Sequence, residues 1–337
     1  MIIANEKEDF MKHIVIVATG GTIAGTGNLG KSAVYEAGKI SIDEVIESIP
    51  MINEIAELSE VQLFNEDSNE INEEKWITLA NTLNEIVSRD DVDGVVVTHG
   101  TDTLDETAYF LNLTVNTVKP VVITGAMRPA TATSADGPMN LFQAVSLAAS
   151  EEARGHGVMA VFSSTIYAAR EIQKVHNFKV DAFGQRELGC LGYMRDEVPY
   201  MYATSFKRHT YKSSFSLKQL TALPKVGIVY YYAGADSSIL EQMAKQHEGI
   251  VIAGSGSGNY SRQWQETIYN LYREKGTFFV RSSRVNQGIV FDSKIFDPND
   301  ICIPANTLSA QKARVLLMLA LNTTKDLKEI KAVFDEY

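Results

Sequence analysis

The sequence predicts an α/β protein: two α/β domains, a larger N-terminal one on a doubly wound, mostly parallel sheet and a smaller C-terminal one on a parallel sheet. Short apolar, β-branched runs alternate with helical patterns through the first half of the chain. The alternation fades from Gly184 and restarts after Pro224, and 337 residues suggest about two domains as a prior. The expected division is an N-terminal domain over 1–201, a linker over 202–224 rich in Ser, Lys, Tyr and Arg, and a C-terminal domain over 225–337.

The first element is a strand over 13–17, closed by Ala18-Thr19-Gly20-Gly21-Thr22-Ile23-Ala24-Gly25, whose paired glycines allow a turn that a Cβ would obstruct. Residues 26–39, small, polar and containing Tyr35, read equally as a mobile lid or an ordinary surface loop. Ser41 and Glu44 have the spacing of a capping box and start a short helix. A strand over 61–64 leads into the polar loop Asn65-Glu66-Asp67-Ser68-Asn69-Glu70, followed by a helix over 73–87. Val95-Val96-Val97-Thr98-His99-Gly100-Thr101-Asp102-Thr103 comes next and organises the chain. It opens as a strand buried on both faces and ends in hydroxyls, a glycine and a carboxylate. Thr103 and Glu106 are spaced as a second capping box ahead of Tyr109, Phe110 and Leu111. A strand over 120–124 closes in Gly125-Ala126-Met127-Arg128-Pro129. Asp136-Gly137-Pro138 starts a helix with proline where a missing N–H is harmless, and 158–162 is a strand. In the second domain, strands are expected over 226–231, 250–253 and 277–280, with helices over 236–246, 263–273 and 310–321.

The composition excludes several classes. A net charge of −11 without a basic run argues against nucleic acid as a partner. No apolar segment reaches membrane-spanning length. Residues 1–12 carry acids and no apolar stretch, so they do not read as a secretory leader, and the cytoplasm is the expected compartment, with the periplasm the alternative if a leader has been removed. Cys190 and Cys302 fall in different expected domains, which argues against a disulfide between them. They form no metal-ligand cluster with the six histidines, and no metal is expected. Neither Gly20–Gly25 nor Gly254-Ser255-Gly256-Ser257-Gly258 matches a dinucleotide or P-loop fingerprint.

In open α/β sheets, ligands bind outside the carboxyl ends of the strands. Thr22 and Thr101 both follow such ends, and if their strands are central and parallel they face one crevice. Hydroxyls, a carboxylate and backbone N–H groups at a strand end suit nucleophilic acyl transfer, with the N–H groups aimed at a developing oxyanion. A threonine hydroxyl needs a base; a nearby tyrosine or a lysine held neutral by its surroundings are the candidates. Asp102 can orient such a lysine or bind a ligand's ammonium group. Singly each residue says little, since a loop Thr usually caps a helix and a loop Asp usually forms an Asx-turn.

In combination the motifs resemble the bacterial L-asparaginases, specifically the type II asparaginase and glutaminase-asparaginase group, from His13 to Tyr337. The resemblance is carried by Ala18-Thr19-Gly20-Gly21-Thr22-Ile23-Ala24, Thr98-His99-Gly100-Thr101-Asp102-Thr103 and Gly125-Ala126-Met127-Arg128-Pro129. Ser134-Ala135-Asp136-Gly137-Pro138, Arg281-Ser282-Ser283-Arg284-Val285 and Gln311-Lys312-Ala313-Arg314-Val315-Leu316-Leu317 add to it. It implies an amidohydrolase without a cofactor that releases ammonia from L-asparagine through a threonine-linked acyl-enzyme. By that resemblance Thr22 is the nucleophile and Tyr35 the lid tyrosine. Thr101, Asp102 and Lys174 form a second triad, and Ser68 binds the substrate α-carboxylate. Asp102 and Asn69 attend the α-ammonium, Gly100 and Ala126 line the substrate, and Asn259 serves the neighbouring subunit's site. It also implies a homotetramer of close dimers.

The chain departs from the family pattern at Asn69, where Gln or Glu is usual. It departs again in the loop after Arg284, where Lys294 or Ile295 stands near the place of a distal glutamate, with Asp292 and Asp297 close by. The cysteine pair that forms a disulfide in some periplasmic members is missing, with Arg89 and Thr117 in the region. A dual enzyme acting comparably on L-glutamine is the alternative within the family. A solute-binding protein closing on an amino acid is the alternative outside it, against which the paired threonines argue. An amidotransferase subunit serving a tRNA-bound substrate fits poorly with the acidic balance.

Overall fold

A computed structural model describes residues 11–27, 35–36, 41–217, 220 and 222–337. Among them, the strands run β1 (His13–Gly20), β2 (Thr26–Gly27), β3 (Tyr35–Glu36), β4 (Glu57–Glu66), β5 (Gly94–Thr98), β6 (Val121–Thr124), β7 (Val158–Phe162) and β8 (Thr165–Ala168). They continue with β9 (Ile172–Lys174), β10 (Phe183–Gln185), β11 (Gly192–Arg195), β12 (Val198–Met201), β13 (Val226–Tyr230), β14 (Gly249–Gly254), β15 (Phe278–Ser283) and β16 (Cys302–Pro304). The helices are α1 (Ile42–Glu47), α2 (Ile52–Ile55), α3 (Glu73–Val87), α4 (Leu104–Thr114), α5 (Gly137–Ala149), α6 (Ser238–Met243), α7 (Arg262–Lys275), α8 (Ala310–Thr323) and α9 (Leu327–Glu336).

An eight-stranded sheet has the order β12-β11-β8-β7-β6-β5-β1-β4. Pairing is parallel from β4 through β7 and antiparallel across β8, β11 and β12. The sheet is therefore mixed, with the parallel part carrying the motifs. Its central strands are apolar along their length because both faces are covered. Ile14 and Ile16 pack with Val96, Val122, Val45, Leu141 and Val145 on one face; Val15 and Val17 pack with Val95, Val97, Phe110 and Leu111 on the other. Each fully buried Val or Ile contributes about 1.5–3 kcal/mol relative to exposure.

The second sheet, β13-β14-β15-β16, is parallel throughout. Leu240, Trp264 and Ile268 of α6 and α7 cover one face. On the other, Val251 and Val280 share a core with Leu316 and Met318 of α8, which continues into Phe110 and Leu113 of α4. The two sheets are thus joined through α4 and α8. No helix of the described residues is long and apolar enough to cross a membrane.

Two sequence expectations are corrected. The faded stretch after Gly184 holds β11 and β12, at the end of the sheet, whose burial alternates residue by residue as in strands covered on one face more than the other. Within the stretch expected as a linker, His209, Thr210 and Leu217 are buried, and the Ser214 N–H donates to the Tyr337 hydroxyl at 2.6 Å. The Thr103 capping box does not form. Thr103 Oγ1 donates instead to the Ser68 carbonyl at 2.8 Å, a tertiary bond that displaces the local one. The Ser41 box does form, with Ser41 Oγ accepting from the Glu44 N–H at 3.3 Å.

Chain order reverses at β1: β4 lies on one side of it and β5 on the other. That reversal leaves a crevice outside the carboxyl ends of β1 and β5.

Candidate active site

Thr22, Ser68, Thr101 and Ala126 follow β1, β4, β5 and β6 respectively, so parallel neighbours deliver all four to one end of the sheet. In register, Ala18 stands opposite Thr98, and Thr19 Oγ1 donates to the Thr98 carbonyl at 2.8 Å, stitching the two loops at their base. Above that stitch the loops touch backbone to backbone. A Cβ on Gly21 would lie 2.5 Å from the Gly100 nitrogen, and one on Gly100 would lie 2.8 Å from Ser68 Cβ. Gly21 also holds φ 87° and ψ −175°, a conformation essentially confined to glycine. Gly21→Ala is therefore expected to cost at least about 1–3 kcal/mol from backbone strain alone, with the clash against Gly100 added. Thermal unfolding checks the loss of stability, and ammonia release checks the accompanying loss of turnover.

Thr22 is 5% exposed and Thr101 6%. Lys174 ends β9, in a two-stranded antiparallel ladder where it pairs with Phe183. Its Nζ donates to Thr101 Oγ1 at 2.9 Å and to Asp102 Oδ1 at 2.5 Å. That hydrogen bond holds the Asp102 carboxyl below its ordinary pKa, so it is a carboxylate at neutral pH. Its other oxygen accepts from Asn69 Nδ2 at 3.5 Å, while the same Asn69 amide donates to Asp67 Oδ1 at 2.7 Å. A half-exposed carboxylate beside the buried Thr101 hydroxyl and the partly buried Lys174 can hold a ligand ammonium while the hydroxyl exchanges protons.

Ser68 is buried at the start of a 3₁₀ turn capped by Asp67, whose side chain accepts from the Asn69 N–H. The Thr103 bond to its carbonyl ties this turn to the Thr101 loop. Buried Ala126 belongs to a loop fixed by Asp136, whose oxygens accept from the Met127 and Arg128 N–H groups, each at 2.9 Å. Asp136, Thr19 and Thr103 hold the site without entering it. Their motifs were visible in the sequence, their tertiary partners were not.

Two further expected residues are located by backbone pairing. The backbone of Tyr35 pairs with Gly27; its side chain and most of the 26–39 lid segment lie outside the described residues. Asn259 is in the turn after β14, where its backbone pairs with Ser255, and its buried Oδ1 finds no hydrogen-bond partner within the described residues. Asp297, near the place of the family's distal glutamate, is buried and spent on the Ile301 and Cys302 N–H groups at 3.1 and 2.8 Å. Lys294 is exposed and lies 3.8 Å from Asp300. Cys190 and Cys302 are free thiols. Among the described residues no group of three or more His, Cys, Asp or Glu could hold a metal ion.

His99, just before Gly100, is fully buried, and its Nδ1–H donates to the Gly100 carbonyl at 2.7 Å. Burial pushes its pKa down to about 4. The folded chain keeps it neutral, while the unfolded chain binds a proton as pH falls through 6.5. The stability it contributes is complete above that value and is lost progressively down to about pH 4, reaching about 3 kcal/mol at 1.36 kcal/mol per pKa unit. Denaturant unfolding at neutral and acid pH should show a shallower acid loss in His99→Gln than in the parent chain.

The family model described as "Asparaginase, N-terminal" matches residues 13–206, and "Glutaminase/Asparaginase C-terminal domain" matches 225–334. The chain is 42% identical to L-asparaginase 2 of Bacillus subtilis (strain 168) over 336 residues, 99% of this chain and 88% of that relative. It is also 42% identical to the glutaminase-asparaginase of Acinetobacter glutaminasificans over 330 residues, 96% of this chain and 99% of that one. Its structure resembles the crystal structure of a "Probable Cytoplasmic L-asparaginase" from Campylobacter jejuni. The TM-score is 0.92 at 42% identity, covering 97% of this chain and all of that one.

Proposed function

The chain belongs to the asparaginase family, and from that premise we propose that Thr22 attacks the side-chain amide carbon of L-asparagine. The protein is an asparaginase hydrolase. In the proposed reaction the Thr22 hydroxyl loses its proton as Oγ1 bonds to the amide carbon. The C–N bond then breaks, the nitrogen leaves as ammonia, and a β-aspartyl ester of Thr22 remains. Water hydrolyses that ester to L-aspartate. The observation that carries this reading is Lys174 bridging Thr101 and Asp102 on the loop whose Gly100 backbone touches the Thr22 turn. Lys174 and Thr101 relay the proton, with Asp102 fixing the lysine. The second oxygen of Asp102 and the neighbouring Asn69 receive the α-ammonium, Ser68 Oγ receives the α-carboxylate, and Gly100 and Ala126 line the pocket. Tyr35 is assigned the lid position over Thr22.

L-Asparagine is the preferred substrate in this reading, since Asn69 is a shorter side chain than Gln or Glu and Asp297 is committed to backbone donors. The equal similarity to a relative named glutaminase-asparaginase makes comparable action on L-glutamine the alternative. Steady-state ammonia production from both amides decides between them: a kcat/KM ratio well above one for asparagine supports the reading, and a ratio near one gives the dual enzyme.

The division 1–201, 202–224 and 225–337 is part of the same proposal, as is assembly into a homotetramer of close dimers in which Asn259 completes a neighbour's site. Support comes from the unsatisfied buried Oδ1 of Asn259 and from exposed Tyr230, Tyr232 and Ile239 on the second domain. Light scattering on the eluting protein reads the assembly. Cytoplasmic residence is proposed from the two free thiols and from the likeness to the Campylobacter protein, whose name places it in the cytoplasm; fractionation of the source cell tests it.

A further inference from the structure

Lys312 lies on α8, in the second domain, and is 3% exposed. Its ammonium crosses to the first domain and donates to three backbone carbonyls: Ala169 at 2.9 Å, Arg170 at 2.9 Å and Ile172 at 2.5 Å. A buried ammonium is costly unless all its hydrogens are taken, and three carbonyls take all three. Burial draws its pKa down to about 8, so it keeps its charge at neutral pH. The three carbonyls belong to the segment entering β9, and Lys174 is the third residue of that strand. Arg170 adds a second strap, its Nε donating to the Tyr337 carbonyl at 2.5 Å. The β9–β10 ladder is short and is not part of the large sheet; the Tyr167 hydroxyl holds β10 through the Phe183 carbonyl at 3.0 Å, and the Lys312 ammonium holds the backbone on which β9 begins.

We propose that Lys312 is the positioning residue for Lys174: its ammonium fixes the backbone that sets the Lys174 Nζ against Thr101 and Asp102. This rests on the reading of Lys174 as part of the proton relay. Through it, the second domain acts on chemistry performed in its own chain's first domain. An ammonium directs its hydrogens tetrahedrally onto three separate acceptors, and a planar guanidinium cannot reproduce that set.

The test uses the full chain, L-asparagine and the variants Lys312→Met, Lys312→Arg and Lys174→Met. In folded Lys312→Met, kcat should fall on the order of 10–100-fold, as displacement of a catalytic group by about 1 Å does, while KM moves less than about threefold. Lys312→Arg, which keeps a cation and several donors, should fall less and in the same direction; it decides the matter if Lys312→Met does not fold. In a Lys174→Met background the Lys312 effect should vanish, because the group it positions is gone, whereas a general structural role would persist. Parental kcat in folded Lys312→Met or Lys312→Arg, or a Lys312 effect retained in full without Lys174, overturns the proposal. Parental turnover by Lys174→Met would remove the site reading and this inference together. Full turnover by Lys312→Met beside an inactive Lys174→Met would remove this inference alone.

Discussion

Thr22→Ala is expected to abolish ammonia release from L-asparagine, lowering kcat by at least about 10⁴-fold, as loss of a nucleophile does in other acyl-transfer enzymes. Folding should be untouched. Thr22 sits at the entrance to a 3₁₀ turn whose closure is the Gly25 N–H donating to the Thr22 carbonyl at 2.8 Å, a bond that alanine keeps. The side chain is small and the loop is fixed by its backbone contact with Gly100. Circular dichroism and a thermal melt, run beside an ammonia assay, separate the two effects. A folded variant with near-parental kcat would take the nucleophile's role away from Thr22.

Lys174→Met and Thr101→Ala should each lower kcat nearly as far, on the order of 10³–10⁴-fold, with KM for asparagine changed much less. The reason is geometric. One ammonium joins both side chains of the second loop, at 2.9 Å to the hydroxyl and 2.5 Å to the carboxylate. Methionine fills the same volume without a donor, so Thr101 Oγ1 loses its partner and Asp102 loses the cation that lowers its pKa. Groups that act as a unit fail together, and the double variant Lys174→Met/Thr101→Ala should be little worse than either single change. Multiplying losses would show that the two residues act independently. Kinetics of the two single variants and the double variant at one pH make the comparison.

Much of this was legible in the chain because burial on both faces writes itself into composition. Val95, Val96 and Val97 could hardly be anything but a central strand, and helix α3 spans the residues its pattern indicated. The convergence of Thr22 and Thr101 followed from a topological rule, and the adjacency of β1 and β5 realises it. What escaped reading was tertiary. Strands β8 to β12 are three or four residues long, too short for a period to register. Lys174 was placed by resemblance alone, since nothing local distinguishes it from Lys179 before β9 and β10 are paired. Thr103 carried a sound capping pattern, yet its hydroxyl went to Ser68, thirty-five residues away. Lys312 reads as an ordinary helical lysine, and only the packing of α8 against α4 reveals that it is buried. In each case a contact distant in sequence outweighed a local preference.

The central claim is a covalent bond between Thr22 and the substrate acyl group, and intact-peptide mass spectrometry after acid quench during turnover of L-asparagine tests it most directly. The account predicts that the peptide bearing Thr22 gains the mass of one aspartyl group, and that the gain is absent from Thr22→Ala. An aspartyl adduct on Thr101 instead, or turnover by Thr22→Ala with no adduct on any threonine, would contradict it.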